Sequence, residues 1–152
     1  MQTLESELRE LVTQFNRNKI DYALCGGMAV AIHGYPRFTQ DIDLLVPNKS
    51  LEQARQVAGT LGFLDEADRI SFTDSDVYRL IKVDGPSFRV LDLLVPRSLE
   101  NIAWNDRQWF DWNGLTICVV SAKGLIEMKR AAARDIDLID IKQLGFDPHA
   151  KQ

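Results

Sequence analysis

The stretch from Cys25 to Val46, CGGMAVAIHGYPRFTQDIDLLV, constrains the chain more than any other. Two adjacent glycines open a short apolar segment, a loop with Gly34, Pro36, Arg37 and Thr39 follows, and then comes Asp41-Ile42-Asp43-Leu44-Leu45-Val46. The last six residues read as a strand. Side chains alternate along a strand, so Asp41 and Asp43 share one face and repel each other unless something positive stands between them. A bound divalent metal ion is the simplest partner for such a pair. Upstream, Asp21-Tyr22-Ala23-Leu24-Cys25 suits a buried strand that turns through Gly26-Gly27 into a helix from Met28 to His33.

The remaining chain supplies elements around this stretch. Leu4, Leu8, Leu11, Val12 and Phe15 recur at helical spacing, which predicts a packing helix from Leu4 to about Asn18. Ser50 with Gln53 three residues on predicts a capping box for a helix that reaches about Leu61. Residues 65 to 76 are polar and acidic and read as a loop or an irregular strand. Val77 to Val83 and Phe88 to Val95 flank an Asp84-Gly85 turn, and Trp109 to Trp112 and Leu115 to Val120 flank Asn113-Gly114, which predicts two hairpins. Between them, Ser98 to Gln108 reads as a short helix or loop. Ser121 caps a helix to about Arg134, and a second helix starts at Asp135 and ends near Leu144. The order predicts an α/β (α+β) domain with a small mixed β-sheet flanked by helices, one domain over residues 1–152 with a helical C-terminal part at about 121–145.

Composition narrows the class. The chain has 152 residues, 45% of them hydrophobic, enough for one core and too few for two comfortable domains. A formal net charge of -4 gives no general attraction to nucleic acid or to acidic membranes. Cys25 and Cys118 lie far apart with no zinc-type or disulfide spacing, which suits a reducing compartment. The first residues are acidic and amphipathic rather than signal-like, and no apolar run is long enough to span a membrane. The expectation is a cytoplasmic protein with no membrane partner.

Asp92 carries the most information of any single residue. It sits in Val90-Leu91-Asp92-Leu93-Leu94, where an ionised carboxylate would cost several kcal/mol if buried without compensation. A metal ion shared with Asp41 and Asp43 would supply that compensation; an acid that discourages pairing at a sheet edge is the alternative. A lone Asp-x-Asp is weak evidence, and so is a Gly-Gly pair, since glycines end many strands for steric reasons. Together, three carboxylates and a glycine turn able to offer backbone N–H groups to a phosphate describe a site for metal-bound triphosphate.

The combination Gly26-Gly27, the Arg37/Thr39 loop, Asp41-x-Asp43 and Asp92 resembles the polymerase-beta-like nucleotidyltransferase superfamily. In wording, GGMAVAIHGYPRFTQDIDLLV is similar to small bacterial nucleotidyltransferases related to the abortive-infection toxins. The likeness extends through Lys129 and the aspartates Asp135, Asp137 and Asp140, covering about residues 22 to 144. The resemblance implies a nucleotidyltransferase fold and transfer of an NMP from an NTP to a hydroxyl acceptor. It implies that Asp41, Asp43 and Asp92 bind Mg²⁺, with two ions expected, and that Asp92 helps to deprotonate the acceptor. Gly26 and Gly27 would hold the triphosphate, and Arg37, Thr39 and Lys129 would bind phosphate or base. Many relatives have Ser where this chain has Gly27, so here only backbone N–H groups could serve. A toxin role, with an antitoxin as partner, is part of what the resemblance suggests; 152 residues leave little room for a separate acceptor-binding domain, so a partner chain, a homodimer or a shallow open cleft would help to define the acceptor, which, whether tRNA, protein or small molecule, is left open.

Two rivals stand beside this reading. One is a catalytically inactive nucleotide-binding or protein-interaction module, against which the intact trio of mutually repelling acids argues. The other is a metal-dependent nuclease, which would not need the glycine turn. His33 reads as a core or loop-facing histidine, Lys129 taken alone as a solvated helix residue, and Trp104, Trp109 and Trp112 as core or interface anchors rather than a base-stacking platform.

Overall fold

The computed structural model describes residues 2–36, 38–65, 69–72 and 74–132. Arg37 and the C-terminal segment from residue 133, with Asp135, Asp137, Asp140 and the second C-terminal helix, lie outside them. In chain order the elements are α1 (Leu4–Arg17), β1 (Ala23–Cys25), α2 (Gly26–Ile32), β2 (Asp41–Leu45), α3 (Leu51–Thr60), β3 (Leu64–Asp65), β4 (Ile70–Ser71), β5 (Ser75–Asp84), β6 (Ser87–Pro96), α4 (Ile102–Asn105), β7 (Gln108–Trp112), β8 (Leu115–Val119) and α5 (Ala122–Ala132). Eight strands among the described residues form one mixed sheet in the order β3-β5-β6-β2-β1-β8-β7, with β4 beside β5. Strand pairs β2/β6 and β1/β8 are parallel, and the other pairs are antiparallel. The mixed sheet flanked by helices is the one expected, and the two-residue edge strands β3 and β4 fall in and beside the stretch read as a loop or irregular strand.

Local chemistry accounts for most element ends. Thr3 Oγ1 accepts from Ser6 N at 3.0 Å to cap α1, and Ser121 Oγ accepts from Gly124 N at 3.2 Å at the start of α5. Asn113 and Gly114 both take positive φ, 51° and 87°, which matches the twist of the β7–β8 hairpin. The capping box at Ser50 does not form. A 3₁₀ turn over Asn48–Ser50 runs directly into α3, so Ser50 already has helical backbone angles and makes no side-chain cap, while Gln53 turns to Asn18 O. Helix α2 also departs from expectation, because the glycine pair forms its first turn rather than preceding it.

The core lies between the sheet and α1. Leu8, Leu11, Val12 and Phe15 are fully buried on one stripe of α1, as the 3.6-residue period requires, and face Ile42, Leu44, Leu91 and Leu93, also fully buried. Glu7 to Lys82 and Gln2 O to Arg89 contacts place α1 over that face of β5 and β6. Alternation then sends Asp41, Asp43 and Asp92 to the opposite face.

Candidate active site

Register, more than sequence proximity, builds the site. Cys25 pairs with Asp43 across β1/β2, Asp43 with Asp92 across β2/β6, and Asp92 with Arg79 across β6/β5. Directly paired residues share a face, so Cys25, Asp43, Asp92 and Arg79 form one row across four strands. Asp41 lies one step along β2 in the next row of that face, opposite Val90. The three aspartates singled out in the sequence are thus gathered on one face by two central strands.

Arg79 is the group that sequence reasoning missed. Its Nε donates to Asp92 Oδ1 at 2.9 Å and its Nη2 to Asp92 Oδ2 at 3.0 Å, a two-pronged pairing that matches the planar guanidinium to the carboxylate. A buried aspartate in an apolar strand therefore already has a cation. The hairpin turn could have disclosed it, since five residues outward from Asp84 and from Ser87 lie Arg79 and Asp92. Asp92, Asp41 and Asp43 together raise the affinity of Arg79 for its proton, through the Asp92 hydrogen bonds first.

The acids feel one another. The Asp41 carboxyl is pushed above its ordinary value of 3.8 by burial and then by the charge on Asp92, with Arg79 pulling the other way. Burial, and next Asp43, push the Cys25 thiol well up, while Lys129 opposes them. Lys129 is buried on α5, at 5% exposure, and so is not the solvated helix residue that its sequence context alone suggests. Its influence on Cys25 brings its charge to this same region.

Gly26 is required at its position for two reasons. Its φ of +70° is one that side chains resist, and a Cβ there would collide with the carboxylate of Asp43. The Asp43 side chain therefore rests on the first turn of α2, and Gly27 beside it is buried. Thr39 is half-buried, two residues ahead of β2. Where β6 begins before β2 does, a cavity of about 360 Å³ opens beside Asp41, lined by Glu7, Gln40, Asp84, Phe88, Arg89 and Val90 among others. Phe88 is 66% exposed there. A larger cleft of about 530 Å³ runs along α1 past Arg9 and Thr13 and touches none of the three aspartates.

Other residues have structural employment. His33 Nε2 lies 2.8 Å from Val120 O and its ring meets Phe110 edge to face, so it ties α2 to β7 and β8. Trp104 is buried with the Arg107 guanidinium 3.9 Å from its ring, Trp112 has Arg9 at 5.2 Å, and Trp109 meets Tyr22 edge on. They are dispersed anchors and make no stacking platform. Among the described residues no three carboxylate, imidazole or thiol groups close together around one point as a metal shell would, and Asp92 is turned to Arg79. No helix among these residues is long and apolar enough to cross a membrane.

Comparison with known proteins gives one clear outcome, at the level of structure. No protein-family model and no curated protein matches the sequence. Solved structures do match. The lincosamide antibiotic adenylyltransferase LnuA, bound to lincomycin, superposes with a TM-score of 0.70 at 18% identity, over 95% of this chain and 98% of that one. ANT(2")-Ia in complex with adenylyl-2"-tobramycin superposes with 0.62 at 11% identity, over 90% and 84%. TM1012 from Thermotoga maritima superposes with 0.66 at 12% identity, over 90% and 88%. A mixed sheet flanked by helices, with β2 and β6 parallel at its centre, is in this chain the nucleotidyltransferase fold.

Proposed function

We propose that this chain is a Mg²⁺-dependent nucleotidyltransferase that moves an NMP from an NTP to a hydroxyl acceptor and releases pyrophosphate. The observation that carries the reading is the delivery of Asp41, Asp43 and Asp92 to one face of this fold by β2 and β6. The donor set fits a hard cation, since the three acids offer carboxylate oxygens, and the Asp41 carboxyl is raised by burial and then by the charge on Asp92, the second of which such a cation would offset. Asp41, Asp43 and Asp92 would hold the metal; two bound ions would neutralise triphosphate charge and favour the alkoxide form of the acceptor. Asp92 would take the acceptor's proton. Backbone N–H groups of Gly26 and Gly27 would face the triphosphate, with Arg37, Thr39 and Lys129 on phosphate or base. Such a site works by positioning and charge neutralisation rather than by covalent chemistry.

The names of LnuA and of the ANT(2")-Ia complex describe adenylyl transfer to antibiotics, and from them we take a small hydroxylated molecule as the acceptor class. The cavity beside Asp41 would receive it, with Phe88 offering an apolar wall. A toxin that modifies tRNA or protein, with or without an antitoxin, would use the same donor half and differ in what enters there. Incubation with labelled NTPs and separate small-molecule, tRNA and protein pools tests the reading. Label should move to one pool in the wild type and to none in Asp43→Asn. Binding of NTP without transfer to any pool would overturn the reading in favour of an inactive binding module.

A further inference from the structure

Asp92 and Arg79 are unequal partners. The Asp92 side chain is 9% exposed and that of Arg79 45%. An ionised carboxylate so buried needs a counter-charge at all times, whereas a half-exposed guanidinium can exchange its protein partner for water. The fork engages both Asp92 oxygens. On its other side Asp92 neighbours Asp43 in the same row. Asp92 therefore stands between the carboxylate with which it would share a metal ion and the guanidinium that holds it now.

Resting on the metal-dependent reading above, we infer that Arg79 is the resident counter-ion of Asp92 and competes with a divalent metal ion for it. A doubly charged ion held by Asp43 and Asp92 would lie on the row that ends at Arg79, where like charges are close and weakly screened. The two cations thus exclude each other at Asp92: as the ion is bound, the guanidinium gives up the fork and moves to the solvated side of β5. The exchange keeps the buried acid compensated before the ion arrives and lowers the affinity for the ion by the strength of the fork. Arg79 is in this sense a positioning residue, acting through Asp92.

Mn²⁺ alone, without nucleotide, is the probe. Titration of the wild type, Arg79→Met and the double variant Arg79→Met/Asp92→Asn, with unbound Mn²⁺ read by paramagnetic resonance, measures the competition directly. Arg79→Met should bind Mn²⁺ about tenfold more tightly, a coupling of ordinary size between two ligands of one site, and Asp92→Asn should remove the gain. Equal or weaker binding by Arg79→Met overturns the inference and makes Arg79 a fixed support. If Arg79→Met does not fold, the wild type still decides. Saturating Mg²⁺ should turn the Arg79 Nε–H resonance into that of a water-exchanging guanidinium, and an unchanged resonance overturns the inference. A chain that shows the exchange and transfers no nucleotide refutes the transferase reading alone. One that transfers nucleotide while Arg79→Met binds Mn²⁺ no better refutes the exchange alone.

Discussion

Two ion pairs leave β5 on opposite faces of the same hairpin. Lys82 reaches Glu7 on α1 at 3.0 Å and Arg79 reaches Asp92 at 2.9 Å, and in each pair the acid is the more buried member. Their surroundings differ. The Lys82 ammonium also donates to Gln2 Oε1 at 3.1 Å and stands 5.7 Å from the Phe63 ring, and its register partner Arg89 donates to Gln2 O, so the buried acid of this pair lies among cations beneath α1. Arg79 serves Asp92 directly and feels Asp41 and Asp43 as well, on a face to which Lys129 also brings its charge, while the cavity beside Asp41 is lined from both faces, by Glu7 and Arg89 as well as by Asp41 and Val90. Burial of an ion pair therefore does not separate a structural role from a functional one; the gathering of further acids beside it does. A matched pair closes a core, and several acids gathered on one face mark a place where a further cation can bind.

Neutralising the acid of each pair should separate them most sharply. Asp92→Asn should lower nucleotide transfer by roughly a thousandfold or more, because it removes charge from the reacting centre, while the circular dichroism spectrum stays that of the wild type. Glu7→Gln should do the reverse. It should cost about 1–3 kcal/mol of stability in urea denaturation, since Lys82 loses its buried counter-charge but keeps a hydrogen-bond acceptor, and, although Glu7 lines the cavity beside Asp41, lower transfer far less than Asp92→Asn does. Equal losses of activity in the two variants would end the distinction.

Gly26→Ala comes next in size and tests how closely the acid face is packed. The added Cβ meets the Asp43 carboxylate and the backbone there resists a side chain, so Asp43 must shift. Transfer should fall about a hundredfold, the scale expected when a reacting group is displaced by about 1 Å, with a stability loss of about 1–2 kcal/mol. Wild-type activity in Gly26→Ala would show that the position of Asp43 is not set by this contact.

Much of this was legible in the chain, for reasons that differ from element to element. The parity of Asp41 and Asp43, the Asn113-Gly114 turn and the apolar stripe of α1 are local patterns whose geometry follows from the backbone alone. The burial of Asp92 could be foreseen from its four apolar neighbours, and its need for a counter-charge with it, but not that Arg79 supplies one. That pairing depends on the register of β5 against β6, a long-range fact that emerges only when the Asp84–Ser87 turn is used to count residues outward. Lys129 was illegible for a similar reason, since its burial depends on how α5 meets the sheet and its own helix does not reveal it. At Ser50 the sequence pattern was right for a cap and the backbone was not, because the preceding turn had already entered the helix.

Asp41 carries the smallest expected effect on stability, and the one of opposite sign. Its carboxyl holds a proton more tightly in the folded chain than the ordinary value of 3.8 because burial, and then Asp92, disfavour its charge. Folding is therefore helped most below 3.8, and that help is lost as pH rises through the folded-state value. Above that value the burial of the charge, and then its repulsion by Asp92, weigh against the fold. Asp41→Asn should then raise stability at neutral pH by about 0.5 kcal/mol, or about 1–2 °C in Tm, even as transfer is lost. The gain should shrink with falling pH and vanish once the wild-type carboxyl is neutral. Melting curves of both chains across the acid range check this. A gain independent of pH would locate the effect in packing, and a loss at neutral pH would show that Arg79 attracts Asp41 more strongly than Asp92 repels it, which would remove the excess of negative charge on which the contrast between the two faces rests.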